Sequence, residues 1–241
     1  MKPWYATWFD TPYYSALYGE HNAKEAALFL DNLIAFLKLP KTGKYWDMNC
    51  GTGRHSIYLN QMGFEISGTD LSEKNICQAE SATQHRLEFF VHDMRNPFRI
   101  NYFNAVFNLF TSFGYFKYPY QDLQVFNSVK KSLKPGGKFI LDYFNSNWVR
   151  NHLCQQEEKT IGNATYVITK KLSKNFIHKQ ITVQDGNETH SFIEEVKLFD
   201  LPDFENLAKK CGLQIENVFG DYHLSPFDHH TSPRQILIFK S

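Results

Sequence analysis

Two glycines and an acidic residue provide the first spacing in this sequence that suggests chemistry. Gly51 and Gly53 follow a short predicted strand, and Asp70 follows the next one. Glycine lets the backbone pass close to a ligand where a Cβ would clash, and a helix that begins there directs free N–H groups at that ligand. A carboxylate at the end of the second strand can accept both hydroxyl protons of a ribose. The spacing therefore predicts a site for a nucleoside-containing ligand.

Alternating strands and helices must position these residues. The hydrophobic pattern predicts strands over residues 45–49, 64–69, 87–91, 103–110 and 138–143. Helices are predicted between them, over residues 54–62, 72–83 and 123–133. Strands and helices that alternate in this way form a parallel, doubly wound α/β sheet. A further helix from Pro202 and two final strands, 213–219 and 235–239, complete this predicted unit.

The N-terminal residues follow a different pattern. Residues 1–21 read as irregular and are rich in aromatic side chains. Asn22 followed by Glu25 is a helix start signal, and apolar residues then recur on one helical face until Pro40. We therefore expect an amphipathic helix between an aromatic N-terminal segment and the first strand.

A second departure from the alternating pattern follows the fifth strand. Strands with no helix between them are predicted over residues 164–172, 176–183 and 191–199. Asp185-Gly186 between the last two of these is a hairpin turn signal. We expect an antiparallel β insert at residues 150–197 that interrupts a domain formed by residues 1–149 and 198–241.

Composition and charge exclude several classes of partner. Lys and Arg total 26 and Asp and Glu total 25, so the net charge of +1 favours neither nucleic acid nor an anionic membrane. The four cysteines have no CxxC spacing, which favours a reducing compartment over a disulfide framework. With no secretory leader pattern, we expect a cytoplasmic protein. The acids and histidines between Asp221 and His230 lack the spacing of a known metal site, so we expect no metal.

Two nucleoside cofactors fit the glycine turn and its acid, but the motifs resemble one family. A dinucleotide site needs a small third residue where this chain has Ser56. Residues 44–144 instead resemble class I S-adenosylmethionine-dependent methyltransferases, and residues 200–240 resemble them in outline. The matching motifs are D-x-x-C-G-T-G at 47–53, the acids Asp70 and Asp93, the strand end at 110–116 and the L-K-P-G-G turn at 133–137. The resemblance implies a Rossmann-like seven-stranded sheet with a C-terminal antiparallel hairpin.

The resemblance also assigns residues to a cofactor site. It implies S-adenosyl-L-methionine as the cofactor, with Asp70 at the ribose and Asp93 at the adenine amine. The cofactor-binding residues that we expect are Asn49, Cys50, Gly51, Gly53, Arg54, Asp70, Leu71, His92, Asp93, Met94, Phe110 and Thr111. The family more often has Gly or Ala in place of Asn49. Because asparagine tolerates left-handed backbone, we expect the turn to be kept.

The aromatic N-terminus resembles the lid of family members that act on small molecules, including amino sugars and glycine. On this resemblance residues 1–40 form a lid, and the insert lies over the active site. The expected substrate pocket consists of Tyr14, Tyr18, Phe113, Tyr115 and Tyr143. Methyl transfer releases a neutral leaving group, so it needs alignment more than acid catalysis. The catalytic residues stay unknown, with Tyr14, Tyr18 and His229 as candidates.

The sequence therefore favours a methyltransferase that acts on N or O of a small molecule by in-line displacement. We expect a monomer or homodimer without a nucleic-acid or membrane partner. A non-catalytic protein that binds S-adenosylmethionine and an NAD-dependent oxidoreductase are the alternatives. An RNA methyltransferase is disfavoured because the chain has no basic stripe.

Overall fold

The computed structural model describes residues 3–18 and 23–241, so the predicted helix start at Asn22 lies outside the described residues. The helices are α1 (Tyr5–Trp8), α2 (Pro12–Tyr18), α3 (Ala23–Leu37), α4 (Arg54–Gln61), α5 (Glu73–Glu80), α6 (Pro119–Ser132), α7 (Ser146–Asn151) and α8 (Leu201–Cys211). The strands are β1 (Lys44–Met48), β2 (Glu65–Asp70), β3 (Leu87–Val91), β4 (Phe103–Asn108), β5 (Leu133–Phe144), β6 (Gln156–Ile161), β7 (Ala164–Leu172), β8 (Phe176–Asp185), β9 (Glu188–Lys197), β10 (Gln214–Phe219) and β11 (Arg234–Lys240). None of the helices in these two ranges is long and apolar enough to cross a membrane.

Seven strands form the central sheet in the order β10-β11-β5-β4-β1-β2-β3. The pairs among β1 to β5 are parallel, whereas β11 runs antiparallel to both β5 and β10. The predicted fold class, a doubly wound sheet with a C-terminal antiparallel hairpin, is confirmed. The strand order reverses between β1 and β4, and open α/β sheets bind ligands at the carboxyl edge beside such a reversal.

Two apolar clusters cover the two faces of this sheet. Trp46, Phe126 and Phe139 belong to one cluster, which includes side chains from α6 and α8. Phe29 and Phe107 belong to the other, which includes side chains from α3, α4 and α5. Successive strand residues point to opposite faces, so β1, β4 and β5 are apolar on both. The clusters fix the strands rigidly and leave their carboxyl ends free to form a site.

The insert is a second, antiparallel sheet of four strands in the order β6-β7-β8-β9. The sequence pattern missed β6 because its polar sequence QEEKTI carries no alternation of apolar residues. This strand lies at the edge of the sheet and pairs only with β7, so neither face of it needs to be apolar.

Helices α1 and α2 lie in the N-terminal segment, which corrects, for the residues described there, the expectation of an irregular chain. Helices α1 and α2 lie against the insert, where Trp8 and Leu17 are buried with Tyr166, Ile181 and other apolar side chains of β7 and β8. The indole nitrogen of Trp8 donates a hydrogen bond to Glu194 of β9 at 2.7 Å. Both helices are too short to be stable alone, and packing against the insert stabilises them.

Candidate active site

A cavity of about 650 Å³ lies at the carboxyl ends of β1, β2 and β3, under the N-terminal helices. Its lining comes from the N-terminal segment, the glycine turn after β1, the segments after β2 and β3, and the segment after β4. The lining residues are Pro3, Tyr5, Ala6, Phe9, Asp10, Tyr14, Asn49, Gly51, Asp70, Leu71, Ser72, Glu73, Lys74, Asn75, His92, Asp93, Met94, Arg95, Ser112, Tyr115 and Phe116.

The glycine turn and Asp70 form one wall of this cavity. Gly51 has a φ of +56°, and an added Cβ would meet no atom within 4 Å, so its free side faces open space. The Gly51 amide donates to Oδ2 of Asp70 at 2.9 Å, and the Ser72 amide donates to Oδ1 at 2.9 Å. Burial raises the pKa of Asp70, while these hydrogen bonds oppose the rise. Each carboxylate oxygen keeps a further lone pair for a ligand hydroxyl.

Gly53 has a different role from the one expected. A Cβ on Gly53 would lie 2.7 Å from the Phe89 ring, and one on Gly68 would lie 2.6 Å from the same ring. Gly53 therefore permits close packing of α4 against β2 and β3, and it does not line the cavity. Of these three glycines, only Gly51 has open space where a Cβ would lie.

Asn49 connects three of the strand ends. Its φ is +62°, which is the left-handed conformation that the sequence indicated. Its side-chain amide donates to the carbonyl of Ser112 at 3.2 Å and to the sulfur of Met94 at 3.3 Å. A glycine at this position would allow the same turn but would leave both contacts unmade.

The segment after β3 supplies a polar and an apolar surface. Arg95 donates to both carboxylate oxygens of Asp93, at 3.0 Å from Nε to Oδ1 and 2.5 Å from Nη2 to Oδ2. Burial opposes ionisation of Asp93, but the hydrogen bonds and charge of Arg95 outweigh it and lower the pKa of Asp93. Leu71 lines the cavity although 43% of it is exposed, and Met94 lies nearby in the lining. An exposed apolar side chain beside a carboxylate suits a nucleobase, because the flat ring can pack on the apolar side chain while its polar edge faces the carboxylate.

Aromatic side chains from the N-terminal helices and from the segment after β4 close the opposite wall. The ring centroids of Tyr5 and Phe9 lie 6.2 Å and 5.5 Å from that of Tyr115. Tyr14 lies 4.8 Å from Phe9. Burial raises the pKa of both Tyr14 and Tyr115. Site prediction from sequence missed Tyr5 and Phe9, although the aromatic density of the first residues was the signal that marked them.

Four of the predicted pocket or catalytic residues do not line the cavity. Tyr18 contacts Lys179 of β8, whose Nζ lies 3.3 Å from the Tyr18 hydroxyl, and burial raises the pKa of Tyr18 to about 12. Phe113 and Tyr143 are fully buried in the core, and the Tyr143 hydroxyl donates to the Lys197 carbonyl. His229 is exposed on the segment before β11. Phe113 and Tyr143 are core residues, because apolar side chains surround each ring.

Four predicted cofactor-binding residues also lie beside the cavity without lining it. The structure places Cys50 in the core beneath the glycine turn. Arg54 begins α4, with its guanidinium carbon 5.4 Å from the Phe110 ring centroid. Phe110 and Thr111 form a turn after β4, and both have a positive φ. These residues support the lining instead of forming it.

The cluster near the C-terminus uses its acids to cap backbone. Asp221 accepts from the His223 and Ser225 amides, and Asp228 accepts from the His230 amide. Within residues 3–18 and 23–241, no group of three His, Cys, Asp or Glu side chains is placed to hold a metal ion.

The lining therefore fits a nucleoside-containing cofactor. The unobstructed side of Gly51 leaves room for the ligand beside the backbone. Asp70 lines the cavity with carboxylate oxygens, which are the type of acceptor that a ribose diol requires, and Leu71, Asp93 and Met94 line it as well. The fold and the site together define an α/β enzyme of the nucleoside-cofactor class.

Comparisons with known proteins narrow this class. The pattern that defines a methyltransferase domain family matches residues 46–137. YqeM of Bacillus subtilis (strain 168), a protein named as a methyltransferase, is 30% identical over 196 residues, which cover 76% of this chain and 78% of YqeM. The dTDP-3-amino-3,4,6-trideoxy-alpha-D-glucopyranose N,N-dimethyltransferase of Streptomyces venezuelae is 25% identical over 84% of this chain and 87% of that enzyme.

A solved structure shows the same fold over nearly the whole chain. An S-adenosylmethionine-dependent methyltransferase from Clostridium acetobutylicum ATCC 824 superimposes with a TM-score of 0.78 at 18% identity, covering 95% of each chain. The chain belongs to the class I S-adenosylmethionine-dependent methyltransferases. Its cofactor is S-adenosyl-L-methionine, and the family expectation drawn from the motifs is confirmed.

Proposed function

We propose that this protein methylates a small molecule at a nitrogen or oxygen atom, and that an amine nitrogen is the better acceptor. One observation carries the proposal: the cofactor wall around Gly51 and Asp70 shares a single cavity with an aromatic wall of Tyr5, Phe9 and Tyr115. A cavity of about 650 Å³ has the size typical of small-molecule sites.

The proposed roles of the residues follow from the two walls. When bound, S-adenosylmethionine supplies a methyl group on a positively charged sulfur. Asp70 and the Gly51 backbone orient the nucleoside, and Asp93 and Leu71 hold its adenine ring. Asn49 and Ser112 fix the position where β1 and β4 end. Tyr5, Phe9, Tyr14 and Tyr115 exclude water and align the acceptor, which is the main requirement of an in-line displacement.

The cavity lining favours an amine over a hydroxyl acceptor. A hydroxyl must lose its proton to a base, whereas an uncharged amine can attack directly. His92 is the histidine of the lining, and its Nε2 lies 2.8 Å from the Asn96 carbonyl. Burial raises the pKa of Tyr14 and Tyr115, so neither ionises readily. Aromatic faces also stabilise the cationic ammonium that methylation of an amine produces.

The N-terminal helices and the insert form the cover of the proposed site. Residues 1–40 supply Tyr5, Phe9 and Tyr14, and Glu194 of the insert holds α1 through Trp8. The insert thus supports the aromatic wall of the cavity indirectly, because it holds α1 in place. The N,N-dimethyltransferase of Streptomyces venezuelae supports the choice of nitrogen, since its name describes methylation of an amino sugar at nitrogen.

Labelled methyl transfer tests the acceptor. The protein is incubated with methyl-labelled S-adenosylmethionine and a panel in which each small amine is matched by its hydroxyl analogue and its N-acetylated form. We expect label on at least one free amine and none on its N-acetylated form. Label confined to the hydroxyl analogues would contradict the amine proposal. Binding of S-adenosylmethionine without methyl transfer to any compound of the panel would support a non-catalytic role.

A further inference from the structure

The turn that follows β4 holds two consecutive residues in an unfavourable backbone conformation. Phe110 has a φ of +54° and Thr111 has a φ of +60°. Left-handed backbone is uncommon for any residue with a Cβ, and for a β-branched residue such as threonine it is a genuine outlier. Such a turn persists only when neighbouring groups hold it. Residues 109–112 are called the β4 turn below.

A buried acid on β5 holds the backbone of the β4 turn. Oδ2 of Asp142 accepts a hydrogen bond from the Phe110 amide at 2.8 Å, and the Asp142 carbonyl accepts from the Thr111 amide at 3.0 Å. Asp142 is fully buried. The Tyr222 hydroxyl donates to the same Oδ2 at 3.1 Å. Both left-handed residues are therefore anchored to one residue of the neighbouring strand.

Arg234 of β11 connects Asp142 to the side chain of the turn. Its Nε and Nη2 donate to Oδ1 of Asp142 at 2.8 Å and 2.6 Å. The same Nη2 donates to the Thr111 hydroxyl at 3.0 Å. The planar guanidinium can bond a carboxylate and a hydroxyl at once, which a lysine ammonium on a flexible stem does with less geometric definition.

The β4 turn in turn positions two residues of the cavity wall. The Tyr115 hydroxyl donates to the Thr111 carbonyl at 2.6 Å. The Ser112 carbonyl accepts from the side-chain amides of Asn49 at 3.2 Å and Asn108 at 3.1 Å. Ser112 and Tyr115 both line the cavity, and Tyr115 contacts the aromatic side chains of α1. A change in the turn is thus transmitted to the acceptor side of the cavity.

We infer that Asp142 and Arg234 are positioning residues for methyl transfer, and that they act through Thr111 on the wall formed by Ser112 and Tyr115. Neither residue touches the cavity. The inference rests on the proposed function for its consequence, because that wall would surround the transferred methyl group. Its structural part, the clamping of the β4 turn, is independent of any ligand.

Amide hydrogen exchange tests the structural part. Arg234→Met removes the guanidinium, and Thr111→Val removes only the hydroxyl while keeping a β-branched side chain. We expect exchange of peptides covering residues 109–116 to rise by roughly tenfold in Arg234→Met, as expected for the loss of hydrogen bonds to a charged group. Peptides covering β1 should exchange at the wild-type rate. Lys138→Met, which removes the β5 partner of Glu216 at 2.5 Å, is the matched control.

Cofactor selectivity tests the consequence. Affinities of S-adenosylmethionine, S-adenosylhomocysteine and adenosine are measured by calorimetry for the wild type, Thr111→Val and the Lys138→Met control. We expect Thr111→Val to weaken S-adenosylmethionine several-fold more than S-adenosylhomocysteine, with adenosine unchanged, because only S-adenosylmethionine carries the methyl group. Equal weakening of all three ligands, or no weakening, would overturn the positioning role.

The two experiments distinguish failure of the proposed function from failure of the positioning role. If the wild type binds none of these ligands, the proposed function is wrong, whereas the exchange result still decides whether Arg234 clamps the turn. Unchanged exchange of residues 109–116 in Arg234→Met would overturn the inference even when cofactor binding is intact. If Arg234→Met does not fold, the exchange measurement is made on Thr111→Val, where the same region should exchange faster than in Lys138→Met.

Discussion

Asn49 combines two properties that are usually divided between residues. Its backbone adopts the left-handed turn at a φ of +62°, and its side chain joins Ser112 to Met94. The first property followed from the sequence, because asparagine is one of the few residues with a Cβ that visit this conformation. The second could not, since the contacts depend on where β3 and β4 end in space.

Replacing Asn49 separates these two properties. Asn49→Gly keeps the turn but loses the side-chain contacts, whereas Asn49→Ala loses the contacts and also strains the backbone by about 1–2 kcal/mol. We expect cofactor affinity to fall alike in both variants, and chemical unfolding to show Asn49→Ala as the less stable by about 1 kcal/mol. An Asn49→Ala protein as stable as Asn49→Gly would show that the turn is not left-handed.

Site residues near a sequence motif were easier to anticipate than those brought in by packing. Asp70, Leu71, Asp93 and Met94 lie at or just after the ends of β2 and β3, and all four line the cavity. Arg95 lies in the same segment, but the sequence spacing does not predict its bidentate contact with Asp93. The family resemblance places Tyr143 in the substrate pocket. Its register instead points the ring into the core.

At the scale of elements, the glycines of the β1–α4–β2 unit serve two purposes. Gly51 faces open space and has a positive φ, whereas Gly68 lies in a strand with its would-be Cβ 2.6 Å from the Phe89 ring. One glycine leaves room for a ligand, and the other leaves room for a side chain. Sequence spacing alone does not separate them, because both roles exclude a Cβ.

Alanine substitutions at Gly68 and Gly51 should differ in their effect on cofactor affinity. Gly68→Ala overpacks the Phe89 contact, and we expect it to cost about 1–3 kcal/mol of stability while cofactor affinity in the folded protein stays near the wild-type value. Gly51→Ala should lower cofactor affinity more than about tenfold, because the added Cβ enters the open space beside the backbone, and the left-handed conformation should cost about 1–2 kcal/mol of stability. Urea unfolding and calorimetry measure the two quantities.

Phe89→Val provides the control for the steric argument, because valine has no atom beyond its γ carbons to meet the added Cβ. The double variant Gly68→Ala/Phe89→Val should be more stable than the sum of the two single changes predicts, because the overlap with the ring is absent. Strictly additive losses would mean that Gly68 matters for another reason than its contact with Phe89.

The elements themselves were predictable to different degrees. The strands and helices between residues 44 and 144 have strong hydrophobic periods, and they follow one another along the chain as predicted. Strand β6 and the N-terminal helices were missed. The first is polar because it lies at a sheet edge, and α1 and α2 are too short for a helical period to emerge.

For the molecule as a whole, buried ionisable groups couple folding to pH. Asp47 is 1% exposed and accepts from the Ser56 hydroxyl at 2.6 Å. Burial raises the pKa of Asp47 to about 7, against the hydrogen bond from Ser56. The folded state therefore holds a proton that the unfolded chain, with a pKa near 3.9, releases. This contribution to stability is present at low pH and is lost as the pH rises toward 7.

Asp47→Asn should remove this pH dependence, because the amide mimics the protonated acid at every pH. We expect the variant to gain stability relative to the wild type as the pH rises from about 4 to about 7, by up to about 1.4 kcal/mol per pH unit midway between the two pKa values. Burial lowers the pKa of His55 to about 3, which acts in the opposite sense below pH 6.5 in both proteins. The comparison therefore isolates Asp47. Parallel stability curves in urea would contradict the raised pKa.

The central claim is that S-adenosylmethionine binds at the edge of the sheet through Asp70. Calorimetric titration with S-adenosylhomocysteine tests it in the wild type, in Asp70→Asn and in Glu80→Gln, a control that changes an exposed acid of α5 outside the lining. Loss of hydrogen bonds to a charged group predicts an affinity about 10- to 100-fold lower in Asp70→Asn and unchanged in Glu80→Gln. Equal affinity in Asp70→Asn and the wild type would contradict the account.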